Sequence, residues 1–380
     1  MERTKKIGRL SAMLTCVAFV LISCNTASKQ NKTIVISNPS NISRAEVASI
    51  PFQELRRVYN GSNSFKILDE QGTEYSYQLE KLGKDSVANV LIWIEIPANG
   101  ERSLIIQEGK PAEVRAKTFA RYVPERFDDF AWENDKIAFR MYGKALEGRP
   151  DDAQGTDIWA KRTDSLIINE WYKTGDYHKD HGKGLDYYSV GMTLGAGDIA
   201  PFVKDKIIYS KHYRQHEVLD NGPLRSTFKL TFEPWDVDGK EVSVTKTITL
   251  DAGSQLNKVQ VVYNYAGENT LPVVTGIVLR NDEGEIIEKS EQGIMAYWEP
   301  VHGADGTIGV GVLTEEPIKK SFKADGQLLS LLSVSKGKPL VYYSGGAWDK
   351  AGNITSAAAW KKYLLQYRDN LNNPLKVSIK

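Results

Sequence analysis

The feature that most constrains this chain is a two-residue alternation of apolar and polar side chains, repeated in run after run. It is cleanest in Ser243-Val244-Thr245-Lys246-Thr247-Ile248-Thr249-Leu250 and in Leu256-Asn257-Lys258-Val259-Gln260-Val261-Val262-Tyr263. Side chains of an extended strand point alternately to opposite faces, so such runs describe strands of an antiparallel sheet with one face buried. Thr227–Phe232 and Ile137–Tyr142 read the same way. Helical spacing is confined to short pieces near Ser165–Trp171 and Ala357–Asp369. The expected fold class is therefore all-β, a large antiparallel β-sandwich with few helices.

The region from residue 33 to 112 is built of shorter strands, Thr33–Ser37, Phe65–Leu68 and Val90–Ile96, between turns at Asn60-Gly61, Gly72-Thr73 and Asn99-Gly100. It reads as a small N-terminal β-domain ahead of a large one spanning residues 113–380. Lys plus Arg (49) balance Asp plus Glu (48), a net charge of +1, so no basic excess exists to neutralise a nucleic-acid backbone and no nucleic-acid partner is expected.

The N-terminus sets the compartment. Arg3, Lys5, Lys6 and Arg9 precede an apolar run, Leu10–Ile22, too short to span a bilayer but suited to a signal-peptide core. It ends in Leu21-Ile22-Ser23-Cys24, which resembles a bacterial lipobox. Residues 1–23 are then a signal peptide, Cys24 the lipidated residue, and residues 24–32 a tether. The only other cysteine, Cys16, is removed with the leader, leaving no thiol for a disulfide, nucleophile or metal site. No aspartate stands beside Cys24, so an outer-membrane lipoprotein is expected, facing the periplasm or the surface and touching membrane through its anchor alone.

Three segments carry a family likeness: Asp128–Gly143 (DDFAWENDKIAFRMYG), Tyr177–Tyr188 (YHKDHGKGLDYY) and Gly191–Gly197 (GMTLGAG). They resemble a lipoprotein family of unknown-function domains found with polysaccharide-utilisation systems, which includes the oligo-ulvan dehydratase. The resemblance covers roughly residues 110–380. It implies a β-supersandwich like that of sugar mutarotases, and a reaction that removes water from the terminal uronic acid of an oligosaccharide, of ulvan type, leaving an unsaturated sugar. No cofactor is implied.

Such an elimination needs a cation on the carboxylate, a base for the C5 proton and an acid for the departing hydroxyl. The Tyr177–Tyr188 loop offers His178, His181, Lys183, Asp186 and Tyr188 in a short span without apolar periodicity. Histidine titrates near neutrality without perturbation. The expected catalytic set is His178 or His181 as base or acid, Tyr188 as partner, and Arg140 as carboxylate clamp. Arg140 shares a strand face with Tyr142, opposite Phe139 and Met141. Trp132, Tyr142, Lys183, Asp186, Arg280 (at the end of an apolar strand) and His302 are expected to bind substrate. His178, Asp180, His181 and Asp186 are also possible metal ligands, but histidines three apart in a glycine-rich loop lack the helical spacing of a zinc motif, and no metal is expected.

Two other readings of the same residues stay open. A mutarotase-like epimerase or a glycoside hydrolase needs only a rearranged acid–base set, the hydrolase using two carboxylates about 5–10 Å apart. A non-catalytic glycan-binding lipoprotein would use the Trp and Tyr surfaces alone. Fold does not choose among them.

Overall fold

A computed structural model describes residues 32–267, 269–281 and 283–380. The leader, Cys24 and the tether up to residue 31 lie outside the described residues. Among those described, no helix is long and apolar enough to cross a membrane.

The alternating runs form the expected strands, somewhat longer than their clean pattern: Arg225–Thr231, Lys240–Asp251 and Leu256–Tyr265. They lie side by side in an antiparallel nine-stranded sheet, which continues through Pro339–Trp348 and Ile308–Thr314 to Ile294–Trp298 and Glu285–Lys289. Its inner face packs on two five-stranded sheets. One contains Thr118–Val123, Asp129–Asn134, Ala138–Met141, Thr156–Lys161 and Gly184–Leu185; the other centres on Ala196–Val203, Thr270–Val278 and Gln327–Ser335. A bridge between Thr156 and Gly195 joins the two. One continuous core fills the space between the layers, with Trp132, Phe139, Phe228, Val261, Tyr263 and Val310 almost wholly enclosed. This is the antiparallel β-sandwich the alternation points to, at the supersandwich scale that the family resemblance implies.

The outer face of the nine-stranded sheet is covered in part by the helix Ala357–Asn372, whose Trp360 and Leu364 are fully buried against Ile294, Ala296 and Leu313. Ser356 caps its N-terminus by accepting from the Ala359 amide. The N-terminal strands form a two-sheet sandwich with its own core around Ile34, Phe65, Val90 and Ile92. It is completed from the far end of the chain: Lys376–Ile379, which the sequence pattern groups with the large domain, pairs with Ile34–Ser37 in its first sheet.

Candidate active site

The Tyr177–Tyr188 loop is folded by its own polar groups. Asp180 accepts from the Gly182 and Gly184 amides and pairs with Arg162 at 2.6 Å. Gly184 has a positive φ, and a Cβ there would stand 2.0 Å from the Ala160 carbonyl, so only glycine lets the loop close onto the strand beneath. The Asp186 amide then donates back to the Tyr177 carbonyl.

Beneath this loop lies Arg140. It faces away from the sandwich interior, which takes Phe139 and Met141, and toward a cover made of Trp159, Trp171 and Tyr177. Tyr142, just past the strand's end, lies 5.0 Å from the guanidinium, although its ring joins the same interior core as Phe139 and Met141. The guanidinium is enclosed by three carboxylates: Asp157 at 2.6 Å, Asp186 at 3.2 Å and Asp129 at 3.8 Å. Its side chain is only 7% exposed. The expected clamp role is therefore corrected: Arg140 is already neutralised and has no open face for a substrate carboxylate. Burial raises all three acids, Asp129 to about 6 against the pull of Arg140 and Arg126. Asp157 and Asp186 also repel one another, which holds the Asp157 proton more firmly.

Other expected site residues also prove structural. Trp132 is 1% exposed, its indole N–H donating to Asn257 Oδ1 at 2.7 Å. Its motif neighbours act likewise: Glu133 accepts from the Ile167 and Ile168 amides and from buried Lys161, and Asn134 ties down the Asp251–Ser254 turn. Tyr142 is buried beside Arg140. Tyr188 is buried too, its hydroxyl donating to the Gly195 carbonyl, which leaves no room for the acid–base partnership expected of it. Asp186 serves the Arg140 cluster. His181 and Lys183 lie on the exposed side of the loop, paired with Asp176 and Glu170.

What remains open converges on the extended segment Asp186-Tyr187-Tyr188. His178 rests its Nδ1 on the Asp186 carbonyl at 2.8 Å. A carbonyl can only accept, so Nδ1 carries the proton and Nε2 presents a lone pair. His302 stacks on the Tyr187 ring (centroids 5.2 Å apart) and directs Nδ1 to Asp305 at 3.2 Å, which again leaves Nε2 outward. Both imidazoles are about two-thirds exposed, at 64% and 66%. Arg280 lies over the Tyr188 ring, its Nε on Glu299 Oε1 at 2.8 Å and its Nη1 on the Ser189 carbonyl at 2.7 Å. Its side chain is a quarter exposed, and Nη2 has no partner among the described residues. Burial raises the Glu299 carboxyl above its ordinary 4.5, with Arg280 and then His302 pulling it down. From the sequence, Glu299 is one of the carboxylates open to a glycoside hydrolase, with Glu133, Asp135, Asp180 and Asp186, but it has no place in the expected elimination set. Its only signal was its position in Trp298-Glu299-Pro300, directly after a strand and three residues before His302.

Four possible metal ligands of the loop have separate occupations: His178 on a carbonyl, Asp180 on amides and Arg162, His181 on Asp176, and Asp186 on Arg140. Among the described residues, no three His, Cys, Asp or Glu side chains gather as a metal site.

Residues 36–377 match the family described as Domain of unknown function (DUF4861). The chain belongs to that family. A relative in Formosa agariphila, named only as an uncharacterised protein P7, is 31% identical over 95% of this chain and 97% of its own length. Among solved structures, a protein in the glycosyl hydrolase family 38 from Enterococcus faecalis superposes with a TM-score of 0.52 at 10% identity, over 92% of this chain. The DUF4861 chain spans about half (47%) of that larger protein, and the likeness is one of fold.

Proposed function

We propose that this DUF4861 protein is a carbohydrate-active carbon–oxygen lyase that eliminates water from the terminal uronic acid of an oligosaccharide. The observation that carries the reading is Arg280: a half-buried guanidinium over Tyr188, fixed by Glu299 and the Ser189 carbonyl, with Nη2 unpaired among the described residues, while two exposed histidines contact the two residues just before Tyr188, His178 the Asp186 carbonyl and His302 the Tyr187 ring. A uronate carboxylate on Nη2 loses charge density to the cation, which acidifies the neighbouring C5–H. His302 Nε2 takes that proton, with Asp305 stabilising the imidazolium. The C5–H electron pair becomes the C4–C5 double bond, and the C4 hydroxyl leaves as water with a proton from the acid. That acid is His178 in its imidazolium form, through its exposed Nε2, while Glu299, 5% exposed and engaged by Arg280 Nε, holds the cation in place.

The oligosaccharide is of ulvan type in this reading, and the protein acts from the outer membrane on a Cys24 lipid anchor. The test is incubation with uronate-ended oligosaccharides while following ultraviolet absorbance of the conjugated carboxylate and new reducing ends together. Elimination raises absorbance without cleavage. New reducing ends alone would support a glycoside hydrolase, and neither signal would support a glycan binder.

A further inference from the structure

A cavity of about 750 Å³ lies between the N-terminal sandwich and the outer face of the nine-stranded sheet, and it shares no lining residue with the Arg280–Glu299–His302 set. Its volume is within the range of small-molecule sites, about 300–1,000 Å³.

The strand register builds its floor. Thr227, Thr249, Lys258 and Tyr343 stand opposite one another across four neighbouring strands, and Thr247 faces Gln260 one pleat further along. Cross-strand neighbours on one face bring their side chains within reach of a common ligand. The Thr227 and Thr249 hydroxyls meet at 3.2 Å and each keeps further hydrogen-bonding capacity. One wall is a face of the C-terminal helix, where Tyr363, Gln366, Tyr367 and Asn370 follow the three- and four-residue spacing that aligns side chains along a helix. The facing wall, from the N-terminal sandwich, carries Arg44, Glu46 and Glu80.

The charges on this lining are spoken for, with one exception. Arg44 pairs with Glu46, and Arg225 with Asp251 and Glu80. Lys258 is exposed in the cavity without an ion partner among the described residues. The second unmet group is Asn370 Oδ1, a buried acceptor with no hydrogen-bond partner in the described structure. The atom is closed to solvent in this conformation, and a rotation of the Asn370 amide presents it to whatever fills the cavity.

Hydroxyls on a polar strand floor, tyrosine rings at one side, one free cation and one unmet acceptor together describe a partner rich in hydroxyl groups that bears a negative charge. We propose that the cavity is a second, non-catalytic binding site for a short anionic oligosaccharide, with its carboxylate or sulfate on Lys258 and its hydroxyls on Thr249, Gln260 and Asn370. No histidine lines it, and its carboxylates are held by arginines, so it retains sugar without transforming it. The inference stands whether or not the chain is a dehydratase.

The test is calorimetric titration of the full chain carrying Arg280→Ala, which silences the other site. Three probes are compared: a chondroitin sulfate tetrasaccharide, its unsulfated uronate-bearing counterpart, and neutral cellotetraose. One anionic ligand binds per chain, and Lys258→Glu weakens it at least about tenfold, the worth of one charge-assisted contact. Asn370→Ala weakens it by a smaller factor. Sulfated and unsulfated probes identify which oxyanion Lys258 holds. Lys258 is exposed, so melting curves of the variant should match the parent and exclude misfolding. The proposal is overturned if no probe binds, if Lys258→Glu leaves affinity unchanged, or if cellotetraose binds as tightly as the charged probes.

Discussion

Replacing Arg140 separates a structural cation from a substrate clamp. Arg140→Met keeps the unbranched stem that packs on Trp159 and Tyr142 but removes the charge. Three carboxylates within 3.8 Å then lose their cation in a site where Asp157 and Asp129 are almost wholly buried. Breaking a buried pair from one side costs about 3–5 kcal/mol, because the remaining charges are left uncompensated. The acids already hold protons more tightly than usual, so acidification relieves the variant: near pH 5 the loss should shrink to the value of the hydrogen bonds, about 1–3 kcal/mol. Denaturant unfolding at neutral and mildly acidic pH measures both values. Arg140→Lys, which restores charge without the fork of donors, should fall between. A variant with wild-type stability at both pH values and only a weakened affinity for uronate would refute the reasoning and return Arg140 to the clamp role.

Other outcomes follow from the same geometry. The native Asp129 carboxyl binds its proton up to about pH 6, against 3.8 as the ordinary value, so the folded state holds more protons than the unfolded one across that interval, and stability falls as pH rises through it. The contribution is roughly 3 kcal/mol at most, and Asp129→Asn should flatten the slope in thermal melts between about pH 4 and pH 6. His302→Ala should lower uronate turnover at least about 10²-fold with an unchanged melting temperature, whereas Tyr188→Phe should cost stability through the lost bond to Gly195. Cys24→Ser should release the protein from the membrane fraction without altering those melts, and persistence in membranes with attached lipid by mass spectrometry would contradict the lipobox.

The strands were legible because period two is a local property: Lys240–Asp251 and Leu256–Tyr265 announce themselves residue by residue. Local pattern says which residues share a face but not which way the face looks. Arg140 and Tyr142 do lie together, yet Arg140 is closed over by Trp159 and three carboxylates, while the Tyr142 ring joins the interior core with Phe139 and Met141. Nor does periodicity encode distant partners, so the pairing of Lys376–Ile379 with Ile34–Ser37 could not be read. The Tyr177–Tyr188 loop stands out in the sequence by its polar density, and in the fold that density divides between holding the loop closed (Asp180, Gly184) and neutralising Arg140 (Asp186). His178 stays open because its chosen partner is a carbonyl, a detail of backbone path. Glu299 and Arg280 come from strand ends far apart in sequence, and only folding brings them to one another.

The most direct test of the central claim is the mass of the product formed from a uronate-ended oligosaccharide. The account predicts a product lighter than substrate by one water, with the oligosaccharide length preserved, formed by the wild type and lost in Arg280→Ala while the variant stays folded. Shortened oligosaccharides without loss of water, or an undiminished yield from Arg280→Ala, would contradict it.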